Sequence, residues 1–378
     1  MSKIRLREAQ FNEADLEQIW HLLRQQFQSY ASSTLSEFRE LCRHAWLDNP
    51  ARGPEHVFGW VLESSSKEIG GFLGLVAVKM KIGNHAVAGG AAHAWAVSPA
   101  FRASSLGLYR ELFASWGSRN FLLNTTASAQ TTRVHEKSVM QKIPISSINQ
   151  RLLWLVRPEV LVGWVLNKPE WKWLGVVTQY PPFSQILTGA ARIWYVRHRR
   201  LKFHSQRLPV DQVTYFSDEF DRLWEDNKKD YDITVVRDRA FLDWCHLKMP
   251  GRLGQNFVFA CRDEGKVLGY IAIREKNPEM GLFPGYFSVV DLFYERRRRD
   301  VLLNLLNHAF EFAKTCGCSV FEVARISPEI LAELSRQRPY VVDPPGWSYW
   351  YKAPSEDLAE ICRTASWWPS GVDGDAGL

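Results

Sequence analysis

Cysteine is scarce in this chain and poorly spaced for chemistry. Its six cysteines, Cys42, Cys245, Cys261, Cys316, Cys318 and Cys362, are scattered, and the one close pair, Cys316 and Cys318, has no matching second pair. A zinc site and a disulfide framework are therefore both unexpected, and no metal is called for. Long apolar runs are missing too. The longest in the Trp-rich middle of the chain, Val160–Leu166, is far short of the roughly 20 apolar residues of a membrane span. The opening stretch Met1–Gln10 has no apolar core, so no secretory leader is expected, and a reducing cytoplasm is the expected compartment. Charge of one sign is also modest: Lys+Arg 47 against Asp+Glu 41 leaves +6, which suits an anionic small ligand and is too little to argue for nucleic acid. What is present is a chain of 378 residues, 46% hydrophobic and 23% charged, long enough for two folded domains and a connector.

Hydrophobic periodicity divides the chain into two similar halves. The first reads as a strand at 4–7, a helix at 13–27 with Leu16, Ile19, Trp20, Leu22 and Leu23 on or beside one face, and a second helix from Ser36 to near Pro50. Strands follow at 57–63, 69–81 and 85–97, then a helix from Ser105 to Trp116, a strand at 121–126 and a helix through about Met140. The second half repeats this order about 200 residues later: a strand at 213–216, helices at 219–227 and 239–247, and strands at 257–262, 267–275 and 286–292. A helix from about Arg298 to Thr315, a strand at 320–324, a helix after Pro328 and a strand at 348–351 close it. The predicted fold class is α/β (α+β), two domains that are each a mixed, mostly antiparallel twisted sheet flanked by helices. The predicted boundaries are 1–147 for the first domain, 148–200 for a connector, 201–355 for the second domain and 356–378 for a tail.

The stretch Ala94–Phe113 carries the chemistry. An apolar strand breaks at Ser98-Pro99, and a helix resumes after Arg102-Ala103-Ser104-Ser105-Leu106-Gly107. A strand that ends in a small-residue turn and feeds a helix presents unpaired backbone N–H groups, which bind phosphate oxygens. In these residues the chain resembles the GNAT acyltransferases, whose signature is a Val, a Pro two residues on, and Arg/Gln-x-x-Gly-x-Gly/Ala opening a helix. Val97, Pro99, Arg102, Ser105 and Gly107 fall on those positions, with Ser105 replacing the first motif glycine. The resemblance implies acetyl-CoA or another acyl-CoA as co-substrate, its pyrophosphate held by Arg102, Ala103, Ser104, Ser105, Leu106 and Gly107. It further implies that backbone N–H groups near Trp95, Ala96 and Val97, splayed from the next strand, polarise the thioester carbonyl.

Within the same resemblance, His93-Ala94-Trp95-Ala96-Val97 is similar to the His-x-x-Ala-Val run of arylalkylamine N-acetyltransferases, whose matching histidine is linked to proton removal from the amine. His93 is thus the catalytic candidate, with Glu63, Glu68 or the second domain as the alternative source of the base. Strand alternation predicts His93, Ala91 and Trp95 on one face. The family's tyrosine acid is missing: the best register puts Met140 in its place, and another register puts His135 there.

The second half lacks a cradle, since Asp291-Leu292-Phe293-Tyr294-Glu295-Arg296-Arg297-Arg298-Arg299 contains no glycine, and its arginines read as a solvated helix start. Trp154, Trp164, Trp171, Trp173 and Trp194 lie in the connector, as does Arg197–Arg200. Two readings stand for it: a packed connector helix, or an interfacial anchor giving peripheral membrane contact. The resemblance implies acyl transfer, most simply of acetyl, to a small-molecule or sugar/peptide amine. The competing class is a non-catalytic binding or scaffold protein that keeps the fold.

Overall fold

In a computed structural model, residues 4–157, 189, 208–276, 285–343 and 348–374 are described. The chain forms two compact units, and neither is a contiguous stretch. The first comprises Met1–Ser146, Trp224–Arg252 and Gly346–Leu378, the second Ser147–Leu223 and Leu253–Pro345.

The first unit is built on strands β1 (Arg5–Glu8), β2 (Gly59–Glu63), β3 (Ile69–Ile82), β4 (His85–Val97), β5 (Phe121–Ala127) and β6 (Gln141–Lys142). Its helices are α1 (Glu13–Gln26), α2 (Gln28–Ala31), α3 (Leu35–Cys42), α4 (Ser105–Glu111) and α5 (Ala129–His135). The sheet order is β1-β2-β3-β4-β5-β15-β6, where β15 (Ser348–Lys352) comes from far along the chain. The pairs are antiparallel except for β4 with β5. Local signals set the helix starts. The Asn12 side chain accepts from Asp15 N–H before α1, and Thr34 with Glu37 forms a capping box before α3.

Strand alternation builds a core on each face of this sheet. Leu16, Ile19 and Leu23 of α1 and Phe38 of α3 pack on Val61, Phe72, Val76 and Ala96. On the other face, Leu108 of α4, with Leu112 and Trp116 beyond it, packs on Trp60, Leu62, Leu73 and Ala92. Trp350 of β15 joins this second core, and Tyr351 stacks on Phe121 with ring centroids 6.2 Å apart.

The second unit has strands β7 (Arg151–Leu155), β8 (Val210–Gln212), β10 (Gln255–Asp263), β11 (Lys266–Glu275), β12 (Tyr286–Tyr294), β13 (Val320–Ala324) and β14 (Tyr340–Val342), ordered β14-β7-β13-β12-β11-β10-β8. Helix Arg299–Thr315 lays Phe310 and Phe312 against Phe321 and Phe257. The arginine run opens this helix in surface ion pairs: Arg296 with Glu329, Arg298 with Asp300 and Asp263, and Arg299 with Glu333.

Several sequence expectations shift here. Residues 151–155, expected in the connector, are strand β7, with Trp154 buried. Residues 356–374, expected as a tail, form helix Glu356–Thr364 and a segment of loop and turn within the first unit. Strand β9 (Ile233–Val235), expected in the second domain, pairs with β3 of the first unit. Helix α5 stops at His135 instead of running to Met140, because Ser138 Oγ donates to the His135 carbonyl and accepts from Met140 N–H. The remaining connector tryptophans and Arg197–Arg200 lie outside the described residues. Among the described residues, no helix is long and apolar enough to cross a membrane.

Candidate functional site

The centre of the first unit is a fork. Parallel pairing of β4 with β5 runs Gly89↔Phe121, Gly90↔Leu122 and Ala91↔Leu123 and ends there, although β4 continues to Val97 and β5 to Ala127. On its other edge β4 keeps β3, but with a register shift: Phe72 faces Ala96 and Gly74 faces His93, so Ala94 and Trp95 together oppose Leu73. Ala94 sits at φ 51°, the left-handed conformation that costs a non-glycine residue on the order of 1–3 kcal/mol. This bulge overturns the alternation expected from sequence. The extra residue re-aims everything after it, and His93 and Trp95 point to opposite faces.

His93 joins the α1–α3 side. It is buried, its Nε2 lies 3.1 Å from Tyr30 Oη, and its ring meets Trp46 edge-on at 5.6 Å. Trp95 joins the α4 side, stacked on Tyr109 with centroids 5.4 Å apart and planes 13° from parallel. Glu63, an alternative base, is committed elsewhere. Arg7 donates to it at 2.8–2.9 Å and Lys67 at 3.2 Å, and the Arg7 hydrogen bonds hold its carboxyl below the usual range.

The cradle is more tightly wound than its composition suggests. Pro99–Ser104 forms a 3₁₀ helix that runs directly into α4, and Ser105 N–H bonds the Arg102 carbonyl. Phe101 N–H likewise bonds Ser98 O. Some of the N–H groups expected to face phosphate are therefore spent inside the turn, because i→i−3 winding consumes them. Side chains remain available: Arg102, Ala103 and Leu106 are exposed, and Ser104, Ser105 and Gly107 are half-buried. A Cβ at Gly107 would touch only Leu6 Cδ1, at 3.6 Å, so packing does not require the glycine.

Neither position matched to the family's tyrosine supplies an acid. Met140 is buried in the α4-side core. His135 is buried with both ring nitrogens engaged, Nδ1 at 2.8 Å from Tyr109 Oη and Nε2 at 3.1 Å from Asn124 Nδ2, and burial pushes its pKa down to about 4.

The segment Ser366–Gly374 was not legible as part of the site. Trp368 N–H bonds Ile233 O, Thr125 Oγ1 donates to Asp373 O at 3.3 Å, and Gly374 adopts φ 63°. A Cβ on Gly374 would lie 3.0 Å from Ala91 Cβ, 3.2 Å from Leu123 Cδ2 and 3.3 Å from Thr125 Cγ2. The segment thus reaches the point where the fork opens, and left-handed backbone at close quarters asks for glycine. The adjacent Trp367-Trp368 pair is the one sequence signal that this stretch docks. Among the described residues, no group of three or more His, Cys, Asp or Glu could hold a metal ion.

No family model and no curated protein matches the sequence. Solved structures do match the fold. Saccharomyces cerevisiae N-myristoyltransferase with bound myristoyl-CoA aligns at TM-score 0.55 and 10% identity, covering 93% of this chain and 79% of that one. A conserved protein of unknown function from Enterococcus faecalis V583, described as a probable N-acyltransferase, aligns at TM-score 0.56 and 10% identity, covering 93% and 72%. The chain therefore has the tandem GNAT-like fold of acyltransferase structures.

Proposed function

We propose that the first unit carries an acyl-CoA-dependent N-acyltransferase site, most simply an N-acetyltransferase acting on a small-molecule, sugar or peptide amine. The observation that carries this reading is the bulged β4 that parts from β5 directly before the Pro99–Gly107 turn. An acyl-CoA would lie along that unpaired edge, its thioester carbonyl toward the N–H groups of Trp95, Ala96 and Val97. Arg102 and the Ser104 and Ser105 hydroxyls would meet its pyrophosphate beside Ala103, Leu106 and Gly107. The structural neighbours, one of them titled with bound myristoyl-CoA, support acyl-CoA as the co-substrate class. In the reaction the amine attacks the thioester carbonyl carbon, the C–S bond breaks, His93 takes the amine proton, and the thiolate takes a proton from water. Six free thiols suit a reducing cytoplasm.

The non-catalytic binding or scaffold reading is supported by two observations, the Ser105 N–H spent within its own turn, which takes a donor from the cradle, and the buried Met140 where the family has its acid. One experiment separates the two readings: calorimetric titration of acetyl-CoA, followed by an assay of free thiol released in the presence of a panel of amines. Binding with amine-dependent thiol release is the result expected; binding without release makes the protein a non-catalytic acyl-CoA binder, and no binding removes the acyl-CoA reading altogether.

A further inference from the structure

Beyond Ala91 and Leu123, where β4 and β5 stop pairing, their α4-facing side chains are joined by a single chain of contacts. Thr126 N–H donates to Asn124 Oδ1 at 3.1 Å, which fixes the amide so that Nδ2 faces His135 Nε2 and donates to it at 3.1 Å. The imidazole is then neutral with its proton on Nδ1, and Nδ1–H donates to Tyr109 Oη at 2.8 Å. Tyr109 Oη–H donates to Ser138 Oγ at 2.9 Å, and Ser138 donates to the His135 carbonyl at 2.8 Å. Every donor in this run points one way. At the far end, the Tyr109 ring lies flat on Trp95, whose indole N–H finds no acceptor among the described residues, so stacking and not a hydrogen bond orients it.

We propose that Asn124–His135–Tyr109–Trp95 is a wedge that holds the β4/β5 fork at its working width, with His135 as the positioning residue. The proposal rests on the acyl-CoA reading of the fork. Two strands released from pairing would otherwise gain by closing or fraying, since unpaired backbone groups inside a fold are costly. A rigid polar hub opposes both. It bonds a β5 side chain directly and fixes the ring on which a β4 side chain rests. His135 is thereby assigned to geometry, with its ring nitrogens both used, and not to proton donation.

The test compares wild-type protein with His135→Ala, His135→Asn and Tyr109→Phe, full chain throughout, by acetyl-CoA calorimetry and by amide hydrogen exchange. His135→Ala should weaken acetyl-CoA by about tenfold or more, the usual scale for breaking a buried hydrogen-bonded hub. Exchange should rise at 92–97 and 124–127 while β10–β12 keep their protection, a local pattern that a merely destabilising change does not produce. His135→Asn can still donate toward Tyr109 and should recover most of the affinity. If His135→Ala does not fold, Tyr109→Phe carries the test, with a smaller loss in the same direction. Wild-type affinity and exchange in His135→Ala and Tyr109→Phe would overturn the wedge. A wild-type protein that binds no acetyl-CoA overturns the acyl-CoA reading instead, and the exchange comparison then decides the wedge alone.

Discussion

Two histidines on opposite faces of one sheet make different demands on their surroundings. His93 lies at the bulge with one ring nitrogen toward Tyr30 Oη. If it removes the amine proton, His93→Gln should lower the transfer rate by about 10²–10⁴ with acetyl-CoA still bound, as is typical for loss of a positioned base. A variant with the wild-type rate would make His93 a structural residue. His135 is neutral by burial, its pKa depressed from 6.5 to about 4. The unfolded chain then binds more protons than the folded one between those values, so stability is fully present above about pH 6.5 and is lost as pH falls toward 4. The size is on the order of 3 kcal/mol for this one group. His56 and His308 are also depressed by burial and add to the same slope. Urea unfolding of wild type and His135→Asn across pH 4–7 should therefore give a shallower slope for the variant. Parallel curves would mean that His135 titrates normally.

At the scale of elements, most strands and helices were legible because their burial follows simple periods. The fork's decisive irregularity was not. Bulges are often marked by glycine, and here the left-handed position is Ala94 inside an Ala-rich run, so nothing in residue type betrays the extra residue that separates His93 from Trp95. The cradle was legible in composition but not in winding, since the same small residues that suit an open turn also suit a 3₁₀ helix. Gly107 tests whether the turn still serves an anion. Val there meets little besides Leu6, so the unfolding midpoint should stay within a few degrees of wild type, while branched carbons at the helix opening obstruct an approaching pyrophosphate. Gly107→Val should abolish acetyl-CoA binding by calorimetry; unchanged affinity would move the ligand away from α4.

The whole molecule differs most from a reading of two domains in series. Fold class and repeat were visible because each half carries the same order of hydrophobic patterns, but pairing between distant strands leaves no periodic mark. Strand β15 adds to the free edge of β5 through Trp350↔Asn124 and Tyr351↔Leu123 and pairs with β6 on its other side, so residues 348–352 complete the first sheet. β9 pairs the far end of β3, and Trp244 Nε1 donates to the His44 carbonyl at 2.9 Å from within the same unit. A fragment of residues 1–147 lacks all three, and it would expose the apolar edge at Phe121–Leu123 together with the α4-side core that Trp350 covers. Such a fragment should therefore aggregate or remain unfolded, and it should bind no acetyl-CoA even if the first unit holds the whole site. Supplying 148–378 as a separate chain restores β9, Trp244 and β15 and keeps β7 between β13 and β14 of the second sheet. Co-expression should then yield a soluble complex with recovered binding, measured by size-exclusion chromatography and calorimetry. A soluble, monomeric 1–147 with cooperative unfolding would show that the interleaved strands are dispensable, and the contiguous first domain would stand on its own.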